Sequence, residues 1–190
     1  MNDKLSHDDI FQIAKIHKEE LKNSGFLGQC SIKFISFFYK KVSIYKSSII
    51  LVKKNNQGKV IGFCFFSENI NEYYQKFFKR NLLRMFFYIS IYVPFVKSYF
   101  RIKRQKPLLK HEVELVQIAV DSKYQGRGLA IELIKRGERE LIKEGIFEYY
   151  LQVYNFNKKA LRLYKKMGFN IIDKFEVNNK GKYLMKKNLR

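Results

Sequence analysis

Residues 114–130, Glu-Leu-Val-Gln-Ile-Ala-Val-Asp-Ser-Lys-Tyr-Gln-Gly-Arg-Gly-Leu-Ala, hold the residue types and spacing best suited to chemistry. An apolar, strand-like run ends there in a Gly-rich turn that opens a helix, and this combination can cradle a phosphate. Gly126 and Gly128 let the backbone approach an anion closely, with no Cβ in the way. The first N–H groups of the following helix point at that anion along the positive end of the helix dipole. The turn lacks the Gly-Lys-Ser/Thr ending of a nucleoside-triphosphate loop and the three-glycine spacing of a dinucleotide fingerprint, which sets both of those ligand classes aside.

Downstream elements must position this turn. Leu129, Leu133, Ile134 and Leu141 form the apolar face of a helix, with Ala130 and Gly137 as small contacts and a stop at Gly145. Residues 146–153 read as a buried strand, and a second helix follows at once, carrying Asn157, Ala160 and Tyr164 before Gly168-Phe169. With both stretches in view, Gln125-x-x-Gly128-x-Ala130 resembles the Gln/Arg-x-x-Gly-x-Gly/Ala signature of the GNAT superfamily of acyl-CoA N-acetyltransferases. The run from Val153 through Asn157, Ala160 and Tyr164 to Gly168-Phe169 is similar to that family's second motif. The two stand in the family's order, a helix and a strand apart.

The resemblance implies acetyl-CoA as co-substrate and direct transfer of its acetyl group to an amine. Gln125, Gly126, Arg127, Gly128, Leu129 and Ala130 would then bind the pyrophosphate. Ile118, Ala119 and Val120 would pair their backbone groups with the pantetheine arm, and Asn157 would bond to that arm. Tyr164 matches the family's proton donor to the leaving thiolate, and a phenol is protonated at neutral pH. For the base, strand alternation puts Glu112, Glu114, Val116, Ile118 and Val120 on one face. Some family members carry their base glutamate at the position of Glu114, which is the choice here, with Glu112 or a water chain as fallback. Other members place a glutamate just before the strand valine; this chain has Gln152 there, which cannot accept the proton. An acidic strand residue paired with a nearby Lys or His111 is the structural alternative for Glu114.

A chain of 190 residues fits a single domain spanning 1–190. Cys30 and Cys64 are far apart with no Cys-x-x-Cys pair, so they read as small packed groups in a reduced, cytoplasmic setting, and no metal site is expected. His7, His17 and His111 share no ligand spacing, and the first two read as surface or partly packed. The first residues lack the pattern of a signal peptide. With 38 Lys and Arg against 17 Asp and Glu, the formal charge is +21. The cations are scattered rather than arranged as a nucleic-acid stripe, so no specific nucleic-acid partner is expected, and part of the charge would steer the polyanionic coenzyme.

Ser6 and Asp9 form a capping pair for a helix with Ile10, Ile13, Ala14, His17 and Leu21 on its apolar face. A second helix over Ile32, Ile35, Ser36, Tyr39 and Val42 follows the break at residues 25–28. Two strands, 49–52 and 60–66, flank the turn Asn55-Asn-Gln-Gly58. The fold class expected is α/β (α+β): a GNAT-type mixed, splayed central sheet flanked by helices, with a helical insertion at 68–110 before the central strand. That insertion sets Tyr73, Phe77, Phe78, Leu82, Met85 and Phe86 at helical spacing beside Lys76, Lys79, Arg80 and Arg84. Its apolar run is too short for a membrane span, which takes about 20 residues. A lid over a small-molecule amine acceptor is the expectation; a peripheral contact of 73–104 with anionic lipid is the alternative. An amino sugar or nucleotide sugar is the acceptor favoured; a protein or peptide amine is the alternative acceptor, a non-catalytic acyl-CoA-binding, membrane-associated module is the alternative to an enzyme, and monomer and homodimer both stay open.

Overall fold

The structure is a computed structural model, and it describes residues 4–81, 112–177 and 179–190. The elements in chain order are α1 (His7–Glu20), α2 (Phe26–Gln29), α3 (Ile32–Val42), β1 (Ser48–Lys54), β2 (Val60–Glu68), α4 (Ile70–Arg80), β3 (Val113–Val120), α5 (Leu129–Lys143), β4 (Glu148–Tyr154), α6 (Lys158–Lys166), β5 (Asn170–Val177) and β6 (Lys180–Asn188). Among the described residues this is a mixed α/β fold with six strands, mostly antiparallel, flanked by helices. The described residues fall into two compact units. The first holds 4–67 and 115–147 with Leu189; the second holds 68–81, 112–114, 148–177 and 179–188 with Arg190.

In the first unit the strand order is β1-β2-β3. The α1 helix begins where Asp9 N–H donates to Ser6 Oγ at 3.1 Å and Ser6 N–H donates to Asp9 Oδ2 at 3.0 Å, the reciprocal capping box. Lys54 Nζ lies 2.6 Å from the other Asp9 oxygen. Burial pushes the Asp9 carboxyl up, but the Lys54 and Ser6 hydrogen bonds outweigh it and the net shift is downward. The break at 25–28 is partly ordered as the short α2, and Ser31 then caps α3 by accepting the Phe34 N–H at 3.3 Å. That helix buries Phe34, Ile35, Phe38, Tyr39 and Val42.

His17 is fully buried, deeper than its sequence suggested. It lies one turn past Ile13 on the apolar face of α1. Its ring stacks on Phe63 at 6.3 Å, and Nδ1 sits 2.8 Å from the Tyr39 hydroxyl. Burial pushes its pKa down to about 3, so the imidazole is neutral.

The β1–β2 hairpin pairs Ser48 with Ser67 and Leu51 with Cys64. Its turn is fixed by Asn55 Oδ1, which accepts the Gln57 and Lys59 N–H groups at 3.0 and 2.9 Å, and by Gly58 at φ 76°. Helix α5 packs on this hairpin through a fitted pair. A Cβ at Gly137 would come within 2.2 Å of the Phe66 ring, and Phe66 is itself fully buried. On β1, the end strand of its unit, Arg136 donates to the Val52 carbonyl at 2.8 Å, while Lys53 pairs with Glu132 at 2.7 Å. Gly145 closes α5: its N–H reaches Ile142 O at 3.0 Å and Ile146 N–H reaches Leu141 O at 2.9 Å, a Schellman termination.

The second unit holds the strand order β4-β6-β5. Antiparallel pairing runs from Glu148 with Asn188 to Tyr154 with Lys182, and β5 joins β6 from Asn170 with Lys186 to Val177 with Lys180. A register shift falls between Ile171 and Asp173. Of the insertion, α4 is helical as its periodicity predicts and buries Ile70, Tyr73 and Phe77, whose two rings stack at 5.9 Å. Leu82, Met85, Phe86 and the rest of the insertion through His111 lie outside the described residues. Among the described residues no helix is long and apolar enough to cross a membrane.

Candidate active site

In the first unit, β3 runs through Ile118, Ala119 and Val120 into a tightly tied turn. Asp121 N–H donates to Ile61 O on β2 at 3.0 Å, and the Asp121 carboxylate caps a 3-10 turn, Ser122–Tyr124, by accepting the Lys123 N–H at 3.0 Å. The Gln125 side chain folds back, its Nε2 donating to Val120 O and to Glu20 Oε2, both at 2.9 Å. Arg127 lies with its guanidinium 5.4 Å from the centre of the Tyr124 ring and donates to Lys123 O at 3.3 Å.

Gly126 and Gly128 take φ of 78° and 77°, and a Cβ on either would meet nothing within 4 Å. The positive φ explains the choice of glycine; the space beside it is where an outside group can approach. Gly128 is the N-cap of α5 and supplies no side-chain hydrogen bond. The first-turn amides of α5, from Leu129 and Ala130 onward, are therefore left to an external acceptor. An uncapped helix start, two left-handed glycines and the adjacent Arg127 and Lys123 together fit a pyrophosphate.

The second unit carries the proton-transfer candidates. Glu114 lies near the start of β3 and is buried, 6% exposed. Glu112, just before that strand, has a buried Oε2 without a hydrogen-bond partner, and so does Gln152 Oε1 on β4. One step along the same face of β4, Tyr150 donates to Glu148 Oε1 at 2.9 Å, and Lys186 holds the other oxygen of Glu148 at 2.8 Å. Burial first, then the hydrogen bond to Glu148 and the nearby Glu112, pushes the Tyr150 hydroxyl up.

Asn157 turns out to be the N-cap of α6, its Oδ1 accepting the Ala160 N–H at 3.1 Å. The asparagine-to-alanine spacing of the second motif is thus explained by capping, with the Nδ2 end of the amide left as a donor. Tyr164, on the same helix, is buried, and desolvation pushes its pKa up to about 12. Its orientation follows from the Gly168-Phe169 pair. Gly168 at φ 89° ends α6, with Gly168 N–H on Lys165 O and Phe169 N–H on Tyr164 O, both at 3.0 Å. The Phe169 ring then wedges between Tyr164, at 5.6 Å, and Tyr149, at 5.1 Å.

The structure thus gathers Ile118, Ala119, Val120 and residues 125–130 in the first unit, and Glu114, Asn157 and Tyr164 in the second. One contributor was missed in the sequence: Glu20, whose carboxylate also accepts the Ser122 N–H at 2.9 Å. Its signal was an acidic residue ending a helix. Among the described residues no group of three or more His, Cys, Asp or Glu side chains could hold a metal ion.

A turn of this kind between a strand and a helix, followed by a strand and a capped helix bearing a buried tyrosine, defines a class of acyl-coenzyme A transferases. Residues 18–169 match the acetyltransferase (GNAT) family, and the chain belongs to it. It is 41% identical over 59 residues to the ribosomal protein bS18-alanine N-acetyltransferase of Escherichia coli, a match covering 31% of this chain and 40% of that protein. In fold it is similar to a candidate GNAT-family acetyltransferase from Desulfovibrio desulfuricans, with TM-score 0.66 and 9% identity over 100% of this chain and 98% of that one. It is also similar to the PaiA N-acetyltransferase of Thermoplasma acidophilum in complex with coenzyme A, with TM-score 0.56 and 16% identity over 98% and 96% of the two chains.

Proposed function

We propose that the protein moves an acetyl group from acetyl-CoA to a primary amine of a small-molecule acceptor, an amino sugar or nucleotide sugar being the class favoured. The observation that supports the coenzyme part of this reading is the uncapped start of α5 behind Gly126 and Gly128, which suits a pyrophosphate. When bound, acetyl-CoA supplies the activated thioester. Backbone groups of Ile118, Ala119 and Val120 align its arm, residues 125–130 hold its phosphates, and Asn157 Nδ2 is available to the pantetheine. Glu114 accepts the proton that the attacking amine must lose, and Tyr164, neutral to about pH 12, returns one to the departing sulfur. The whole of 1–190 serves as one catalytic domain.

A second base assignment has an observation of its own. Glu112 Oε2 is buried and unpartnered, so it has spare acceptor capacity for an ammonium group. A second acceptor class, a protein N-terminus, is favoured by the partial match to the bS18-alanine enzyme. The deciding experiment incubates the protein with acetyl-CoA and a panel of amino sugars, nucleotide sugars, polyamines and N-terminal peptides, with mass detection of acetylated products. Acetylation of peptides alone would overturn the small-molecule proposal; acetylation of none, with no coenzyme binding, would overturn the enzyme itself. Sedimentation with anionic vesicles, weakening with salt, would instead mark the insertion as a membrane contact.

A further inference from the structure

We propose that Glu20 is a positioning residue for the coenzyme: from the end of α1 it holds the pyrophosphate turn in its amide-presenting shape, an inference that rests on the acetyl-CoA reading above. The placement of Glu20 breaks a local rule. The C-terminal end of a helix carries partial negative charge and favours cations, and the last turn of α1 does hold Lys18, yet the helix closes on a carboxylate. A residue that breaks such a rule is compensated elsewhere.

The compensation lies more than 100 residues further along the chain. Glu20 Oε1 accepts the Ser122 N–H at 2.9 Å, across a separation of 102 residues, and Oε2 accepts Gln125 Nε2 at 2.9 Å, across 105. These donors bracket the 3-10 turn, one at its first residue and one immediately after its last. A single planar carboxylate spanning both therefore fixes the span of the turn. Gln125 Nε2 is shared with Val120 O, so the clasp also reaches the end of β3. With Asp121 pinned to Ile61 on β2, the turn is tied to α1, β2 and β3 before Gly126 begins.

A loop ordered in advance loses less entropy when its ligand arrives. Glu20 cannot serve by attraction, because a carboxylate repels a polyanion; a residue there for electrostatic capture would be Lys or Arg. Its contribution is geometric, made through Ser122 and Gln125 rather than by touching the coenzyme.

The test uses the full chain and coenzyme A itself. By calorimetry, Glu20→Ala should bind coenzyme A about tenfold more weakly, the scale expected when charge-assisted hydrogen bonds are lost. Glu20→Gln keeps one acceptor oxygen and should recover part of that affinity. In a double-mutant cycle with Gln125→Ala, the losses should be strongly non-additive, since both substitutions open one clasp. In the coenzyme-free protein, hydrogen exchange should quicken at residues 122–128 of Glu20→Ala and stay unchanged in α3; a purely structural role would quicken both. Wild-type affinity in Glu20→Ala, additive losses, or uniformly faster exchange would each overturn the proposal. If Glu20→Ala fails to fold, the same measurements on Glu20→Gln decide. Failure of the wild type to bind coenzyme A would bring down the acetyl-CoA reading, while exchange in the coenzyme-free protein would still report on the clasp.

Discussion

Replacing Gly128 separates backbone strain from coenzyme binding. The residue sits at φ 77° as the N-cap of α5, and a Cβ there meets nothing within 4 Å, so the Cβ of Gly128→Glu meets no clash. What remains on the folding side is the left-handed conformation, about 1–2 kcal/mol for a residue with a side chain. In a domain of this size that lowers Tm by roughly 2–8 °C, at about 2–4 °C per kcal/mol. On the binding side, the new carboxylate points into the space where the pyrophosphate approaches the α5 amides. Loss of one charge-assisted hydrogen bond, roughly 1.5–3 kcal/mol, weakens coenzyme A by about ten- to a hundredfold. Gly128→Asn is the control: asparagine tolerates the left-handed region and carries no charge, so it should melt nearer the wild type and bind between the two. Calorimetry with coenzyme A, alongside thermal melts, measures both quantities. A folded Gly128→Glu protein with the expected Tm and undiminished affinity would refute the placement of the pyrophosphate on this turn.

Glu114→Gln should lower turnover by about 10²–10⁴-fold and leave coenzyme affinity intact, as loss of a general base does; if Glu112→Gln shows that loss and Glu114→Gln does not, the base is Glu112. Tyr164→Phe should slow turnover without weakening acetyl-CoA binding, and a wild-type rate in the folded variant would remove Tyr164 from the chemistry. The folded pKa of Tyr164, about 12, lies above its unfolded value near 10. Its stabilising contribution is therefore complete below pH 10 and lost as pH rises towards 12, so denaturant melts of wild type and Tyr164→Phe should diverge only in that window. His17 has the opposite sign: its folded pKa, about 3, lies below the usual 6.5. Its contribution is present above pH 6.5 and lost as pH falls towards 3, by up to about 1.4 kcal/mol per pH unit. Denaturant midpoints at pH 7 and pH 5 should therefore converge in His17→Phe, and an unchanged gap would locate the acid sensitivity elsewhere.

Features encoded by neighbouring residues were legible in the sequence. The Ser6–Asp9 capping box, the Asn55–Gly58 turn and the left-handed glycines at 126 and 128 each depend on a few adjacent positions whose chemistry admits few conformations. Features that join distant segments were not. Nothing near His17 announces that Tyr39 will take its Nδ1, and nothing near Glu20 announces a turn 102 residues on. The β5–β6 hairpin was also hard to read, because β5 is mostly exposed and its register shifts between Ile171 and Asp173, which breaks the period-two pattern. Asn157 shows how a motif can carry two meanings: the resemblance marks it as a coenzyme contact, and the geometry adds a helix cap from the same side chain.

The Arg136 contact with Val52 bears on how copies of this chain behave in a crowded solution. An end strand offers a comb of unpaired backbone groups to any other extended chain, which is the usual starting point for aggregation. On β1 the Arg136 guanidinium occupies the Val52 carbonyl, and the neighbouring Lys53 and Lys54 place ion pairs with Glu132 and Asp9 along the strand. At the end strand of the other unit, β5 interrupts its own comb with the irregularity at Ile171 and Asp173 and carries Lys174 and Glu176 beyond it. If the Arg136 contact helps to guard β1, Arg136→Ala would be expected to show it first as turbidity on concentration, before any loss of coenzyme binding.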